Sequence, residues 1–464
     1  MATRVNTKFV LILTAAVLGA VGTIGLVAVL KNRGDTTRHI KAGEQLLAIK
    51  DYEGALKEFT RAVGKERSNM EYLRLLEQAL LNIRPETQDR AFQLHSLRIN
   101  VFRRKAQYRP QDPEAHLSLL RELHRDARYI NQADQWQPVA EAADDMWQQI
   151  APGDPKRIYA RLYRGLANMR IIGQLSEEEV AEAVDDLRAF LDAVPHHDLG
   201  WASLADARLS RANQLRDDGN TRRALEMFDE ADETRRRARV AVPMGPEVAR
   251  MDAHHLALKS FDEEQEVSEE ELSKAVDRMV ELVGPTQDPQ LINEAANILR
   301  LMWRLQGVPR AVEMLQQYLQ EHPEEHFHRR TLADLQYATG NLDEAYEAAR
   351  TLVDARPVQV SLLSRLQHQL RTQAASQIVD IEFRRWQGAD DADKDAQLKR
   401  IETARDQLAS LVADPEKEPS LFRAEGKIAF AKEDYQAAAA SFERHLKLSG
   451  REEFEILMLA AHSL

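Results

Sequence analysis

Cysteine is absent from the 464 residues, which removes disulfides, thiolate metal sites and thiol nucleophiles together. Glycine is scarce, at 19 positions, and aromatic residues make up only 6%. Alternating runs of β-branched and aromatic residues are nearly missing, so a sheet has little to be built from. No glycine-rich phosphate loop and no Gly-x-Ser-x-Gly elbow occurs, and both are common marks of nucleotide binding and serine hydrolysis. Basic excess is lacking too. The formal net charge is -12, whereas a general nucleic-acid binder needs a basic footprint to displace counterions from phosphates. Neither nucleic acid, a small-molecule substrate, a cofactor nor an enzymatic activity is expected.

What is present is helix-forming. Charged residues reach 30%, and Ala, Leu, Glu, Arg and Gln dominate, the profile of a helix-rich chain. The length exceeds one ordinary core and implies either several domains or one extended repeat array; the composition favours the array.

The first thirty residues differ in kind. "FVLILTAAVLGAVGTIGLVAVL", residues 9–30, carries no charge and at about 1.5 Å per residue is long enough to cross a hydrocarbon core of about 30 Å. It reads as one transmembrane helix behind a short tail, residues 1–8, placing residues 9–30 in a lipid bilayer. Arg4 and Lys8 precede it, while Lys31, Arg33, Arg38 and Lys41 follow, so the basic residues alone do not favour a cytoplasmic N-terminus. A short charged tail running straight into an apolar stretch nevertheless has the form of a bacterial signal anchor. The expectation is a single-pass protein of the inner membrane with the rest of the chain outside the cytoplasm.

Past residue 35 the chain restates one pattern. In "HIKAGEQLLAIKDYEGALKEFTRAV" a helix carrying Gly43 ends near Lys50, and a second helix places Ala55, Phe59 and Ala62 on one face. "ILRLMWRLQGVPRAVEMLQQYLQEHP" and "LADLQYATGNLDEAYEAARTLVDARP" align without a gap, so that Ala311 and Ala345, like Pro323 and Pro357, stand 34 residues apart. Small residues let two helices meet closely, and a proline ends the second helix because it lacks the N–H and disfavours helix in the residue before it. A single hairpin cannot bury its apolar face, so the units must stack.

This pattern resembles the tetratricopeptide repeat. The resemblance covers residues 36–464 and is strongest around Ala55, Ala311, Ala345 and Ala438; elsewhere it is degenerate, as at Ala183 with Leu187 and Phe190, or Ala275 with Met279. It implies an all-α fold, a right-handed α-solenoid of antiparallel helix hairpins, preceded by the membrane helix. The expected order is a repeat at 36–69, degenerate hairpins at 70–290, two well-matched repeats at 292–359, an irregular hairpin at 360–418 and a repeat at 419–452. Residues 453–464 then open a further repeat or cap the array. Pro138 is expected in the first turn of a helix, where proline is tolerated.

"HPEEHFHRR", residues 322–330, contains His322-x-x-Glu325-His326, the spacing of one class of zinc protease. Pro323 argues for a turn between two hairpins, with His322 closing one and His326 opening the next. The two imidazoles then do not stand one turn apart on a continuous helix, and no metal site is expected.

In tetratricopeptide domains the first helices line a peptide groove. Carried over where the register is secure, the resemblance places Asn293, Ala296, Arg300, Trp303 and Arg304 there, followed by Phe327, Arg330, Asp334, Tyr337 and Ala338. The repeat from Pro419 adds Arg423, Lys427 and Phe430. Arginines and aromatics in an otherwise acidic protein suit an acidic or extended peptide. The family's clamp for a free C-terminal carboxylate needs Lys or Arg, and Asn, at set positions; Asp334 departs from it, so a free carboxylate terminus is not implied. The function these readings imply is a membrane-anchored scaffold or adaptor for protein or peptide partners in an envelope, export or secretion assembly. The alternative is a regulatory or targeting region of an enzyme whose catalytic domain lies beyond this chain.

Overall fold

The computed structural model describes residues 36–83, 88–130, 133–171, 177–261, 267–302, 305–356, 361–450 and 453–463, and every extended regular element among them is a helix. They divide into two compact units, Met1–Ala167 and Asn168–Leu464.

The first unit starts with a hairpin of α1 (residues 36–48) and α2 (Tyr52–Lys65). Asp51 caps α2 by accepting from the Gly54 amide, and Phe59 is fully buried against Gly43. α3 (Met70–Asn82), α4 (Gln88–Tyr108), α5 (Pro113–Ile130) and α6 (Ala133–Gln149) follow, each packed on the one before. Asn69 caps α3 through the amides of Glu71 and Tyr72. Pro138 corrects its expectation: α6 already runs from Ala133, so the proline sits inside the helix, where it offers no N–H to the carbonyl four residues earlier. Trp136, also on α6, is buried edge-on to His124, with ring centroids 5.6 Å apart. α7 (Ile158–Arg170) spans the division between the units.

The second unit holds α8 (Glu177–Ala193), α9 (Asp198–Asp217), α10 (Thr221–Ala241), α11 (Pro246–Lys259), α12 (Glu269–Val283), α13 (Pro289–Leu301) and α14 (Gly307–Glu321). It continues with α15 (His326–Ala338), α16 (Leu342–Asp354), α17 (Ser361–Gln387), α18 (Lys394–Leu411), α19 (Pro419–Ala431), α20 (Tyr435–Ser449) and α21 (Phe454–Ser463). From α9 onward each odd helix pairs with the even helix after it, and each odd helix also packs on the next odd helix, through to α21. The odd helices thus make one continuous layer with the even helices behind it, as tetratricopeptide-like hairpins stack. Its core comes from both, with Leu299, Leu315, Ala311 and Met279 fully buried in one cluster and Ala349, Ala374, Ile401 and Leu408 in another.

One turn recurs at the tips of these hairpins. Gly219, Gln306, Gly340 and Glu433 all take positive φ, between 52° and 84°. The amide of the next residue closes back on a carbonyl five residues earlier: Asn220 on Leu215, Gly307 on Met302, Asn341 on Gln336 and Asp434 on Ala429. Lys50 and Asp51 repeat the arrangement in the first unit, with the Asp51 amide on the Leu46 carbonyl. This closure satisfies carbonyls that a helix end leaves open.

The expected localisation is corrected. Among the described residues no helix is long and apolar enough to cross a membrane, so a single-pass inner-membrane placement is not supported. Residues 9–30, on which the expected span and its lipid contact rested, lie outside the described residues. The envelope setting inferred from that span goes with it.

Candidate functional site

The expected groove residues fall on α13, α15 and α19, three members of the odd-helix layer. Side chains stitch neighbouring members together. Between α13 and α15, the Thr331 hydroxyl donates to Asn293 Oδ1 at 2.9 Å. Between α15 and α17, Arg330 donates to Gln377 Oε1 at 3.0 Å and pairs with Asp334 at 2.9 Å, and Gln377 Nε2 donates to Asp334 Oδ1 at 3.1 Å. Arg384 of α17 donates to the Tyr337 carbonyl at 3.0 Å and lies over the Tyr337 ring, 5.4 Å from its centroid.

The α17–α19–α21 junction is densely charged. Arg423 donates to Ser376 Oγ at 2.8 Å and to Asp380 Oδ2 at 2.9 Å, and Lys427 donates to Asp380 Oδ1 at 3.0 Å. On the other side Arg423 reaches Glu453 at 3.1 Å and Lys427 reaches Glu455 at 2.9 Å. Lys427 is only 1% exposed. Burial opposes ionisation of Asp380, but Arg423 and Lys427 hold its carboxyl below the ordinary value. Burial likewise opposes the Lys427 charge, yet Asp380 and Glu455 hold its ammonium above the ordinary lysine value. At the α15 position burial wins: it pushes Asp334 up against the pull of Arg330, and it pushes Arg330 down.

A second set of charges lies between α9, α11 and α13. Arg250 of α11 pairs with Asp206 of α9 at 2.6 Å and with Glu294 of α13 at 3.1 Å. His255 Nε2 approaches Asp206 Oδ1 at 3.3 Å, without the alignment of a hydrogen bond. Burial works against the Asp206 carboxylate, but Arg250, His254 and His255 hold it well below the ordinary range. Behind it, Arg235 of α10 binds Asp232 at 2.9 Å and Asp252 of α11 at 2.7 Å.

Of the expected groove residues, Arg300 is exposed and electrostatically coupled to Asp334, and Tyr337 and Phe327 are half-buried. Phe430 lies between Phe383 and Tyr435, with centroids 6.3 and 5.7 Å away. Ala296 is buried in the core and Ala338 is exposed. Arg330, Arg423, Lys427 and Asn293 are tied to neighbouring helices. Trp303 and Arg304 lie outside the described residues. The sequence reading missed Ser376, Asp380 and Arg384 of α17, because no repeat register was secure there. Their spacing of four residues, which places them on one helix face, was the available signal.

The histidine motif is split between two helices. His322 ends α14, Glu325 precedes α15 and His326 opens it. His322 Nε2 contacts Gln287 Oε1 at 3.2 Å, and His328, buried, contacts the Pro289 carbonyl at 2.6 Å. Among the described residues no three His, Asp or Glu side chains are grouped to hold a metal ion.

No family model matches the chain, and no curated protein matches it. Similar solved structures include a tetratricopeptide repeat protein from Parabacteroides merdae, 15% identical with a TM-score of 0.36, covering 66% of this chain and 98% of that one. Human IFIT1, solved as a dimer with m7Gppp-AAAA, is 12% identical with a TM-score of 0.39, covering 89% and 90%. The APC/C hetero-tetramer Cut9–Hcn1 is 11% identical with a TM-score of 0.32, covering 92% and 96%. Likenesses this distant carry no argument about function, and the helical-repeat architecture rests on the chain's own hairpins and turns.

Proposed function

We propose that this chain is a non-catalytic, tetratricopeptide-like scaffold that holds protein or peptide partners on the open face of the odd-helix layer in its second unit. The observation that supports it is the side-chain stitching from α13 to α21. Arg330, Arg423 and Lys427 spend their charges on Asp334, Asp380, Glu453 and Glu455, which fixes the spacing of the helices and builds a rigid platform. Arg300, Arg384, Tyr337, Phe327 and Phe430 are the groups on that platform placed to touch a partner. Trp303 and Arg304 belong to the set through the repeat register alone. The exposed Arg384 guanidinium over the Tyr337 ring, with the exposed Arg300 on the same layer, suits an extended segment that offers carbonyls or carboxylates.

The test is partner recovery by the purified full chain, compared with an Arg300→Glu, Arg384→Glu double variant at matched thermal stability. Loss of the recovered partner supports the face. Unchanged recovery would place binding elsewhere on the molecule.

A further inference from the structure

The side of α15 turned away from Phe327, Arg330, Asp334 and Tyr337 carries a cavity of its own. Arg329, Leu332 and Gln336 are each offset by two positions from a residue of the first set, or about 200° around a helix. Between this side of α15 and the neighbouring α16 lies a cavity of about 380 Å³ whose lining includes Leu332, Gln336, Glu344, Glu347 and Ala348. A second cavity of about 380 Å³ adjoins it towards α14 and shares Arg329 and Leu332.

The polar groups in this trough are incompletely used. Gln336 is only 4% exposed, and its Oε1 is a buried acceptor with no hydrogen-bond donor among the described residues. Leaving such a group unpaired is costly, and replacing it with an apolar group of the same shape would remove the cost. Arg329 donates from Nη2 to the Pro323 carbonyl at 2.7 Å, while its buried Nε has no acceptor among the described residues. Asp343 on the rim is occupied by Arg385. Glu344 and Glu347 are exposed and have no cationic partner among the described residues.

We propose that this trough binds a basic segment of a partner polypeptide. One lysine or arginine enters over Leu332 and Ala348, donates to Gln336 Oε1 and is held by Glu344 and Glu347. The charge complementarity selects this occupant: the unused acceptors are one amide oxygen and two carboxylates, and the apolar floor fits the methylene stem of a long cationic side chain. Arg329 Nε, at the junction of the two cavities, is left to donate to a carbonyl of the same segment. The surface is on the opposite side of α15 from the proposed platform, so the chain would engage two partner segments of unlike charge.

Fluorescence polarisation with the full chain tests this. The probes are a labelled decapeptide of lysine, leucine and alanine and its counterpart with every lysine replaced by glutamate. The lysine peptide is expected to bind and the glutamate peptide not. Gln336→Leu, with equal or higher thermal stability, should weaken the lysine peptide about fivefold or more, and the Glu344→Gln, Glu347→Gln double variant about tenfold, a loss of ~1.4 kcal/mol. Arg300→Glu should leave its affinity unchanged. Equal affinity for the two peptides, or an undiminished affinity in Gln336→Leu, would overturn the inference. So would a loss confined to Arg300→Glu, which would assign the peptide to the other face and leave the platform reading intact.

Discussion

Gly426 of α19 and Phe442 of α20 meet so closely that a Cβ on the glycine would stand 2.4 Å from the phenylalanine ring. The first unit repeats the relationship with Gly43 and Phe59, also at 2.4 Å and also sixteen residues apart. At the same spacing Ala333 and Ala349 are both fully buried. Glycine costs about 1 kcal/mol in a helix interior, and it is placed where the second helix brings a ring against the first. Gly426→Ala should therefore destabilise the protein by about 1–3 kcal/mol through overpacking. Adding Phe442→Leu should recover part of that loss, because the two changes are coupled. Urea unfolding followed by circular dichroism measures both; additive losses would mean that the ring and the glycine do not share the space.

Glu433 offers the opposite test. It holds a left-handed conformation at φ 62°, which Gly340 holds at φ 84° in the equivalent turn. A side chain there costs about 1–2 kcal/mol, partly offset by the greater freedom glycine has when unfolded. Glu433→Gly should raise stability by up to about 1 kcal/mol, and Gly340→Ala should lower it by a similar amount. A lower melting temperature for Glu433→Gly would show that its side chain has a stabilising contact that outweighs the strain.

Hairpins centred on Ala55, Ala311, Ala345 and Ala438 were legible because their signal is local: small residues and large apolar ones recur at helical spacing. The shared turn was not, since Lys50, Gln306 and Glu433 stand where glycine would have announced it. The charges inside the odd-helix layer were also illegible. α11 reads "PEVARMDAHHLALK" with little apolar periodicity, yet Glu247, Arg250, Asp252 and His255 are all buried. Glu247 is the one partner of Arg250 on its own helix; its others, Asp206 and Glu294, are each 44 residues away in sequence, and those of Asp252 lie on α10. Only the stacking shows that those charges are paired. For the same reason the arginines assigned to a ligand in sequence were in part already assigned to carboxylates in the fold.

Asp380 and Lys427 illustrate the consequence. Asp380 is the shared acceptor for Arg423 and Lys427, so Asp380→Asn would strip two enclosed cations of their common counter-charge and should cost about 3 kcal/mol. Lys427→Met keeps most of the volume and leaves Asp380 paired with Arg423, and it should cost less than about 1 kcal/mol. Equal losses on thermal unfolding would mean that the two charges act only as a pair.

The pH dependence follows from α11 and its neighbours. Burial lowers the His255 imidazole pKa below the ordinary histidine value, opposed by Asp206 and reinforced by His254 and Arg235. The unfolded chain therefore takes up a proton at about pH 6.5 before the folded chain does, and stability falls as pH drops below that value. His197 and His326, lowered chiefly by burial, act in the same direction. The carboxylates act later. Asp232, where Arg235 and Lys259 overcome burial and hold the pKa to about 2, and Asp206 contribute stability that is fully present above the ordinary aspartate value and is lost as pH falls through their folded values. The expected melting curve declines gently from pH 7 to 5 and steeply below 4. His255→Gln keeps a polar group beside Asp206 but cannot take up the proton, so its decline between pH 7 and 5 should be shallower than that of the unmodified chain. An unchanged slope in that interval would mean that His255 is as free to protonate in the folded protein as in the unfolded one.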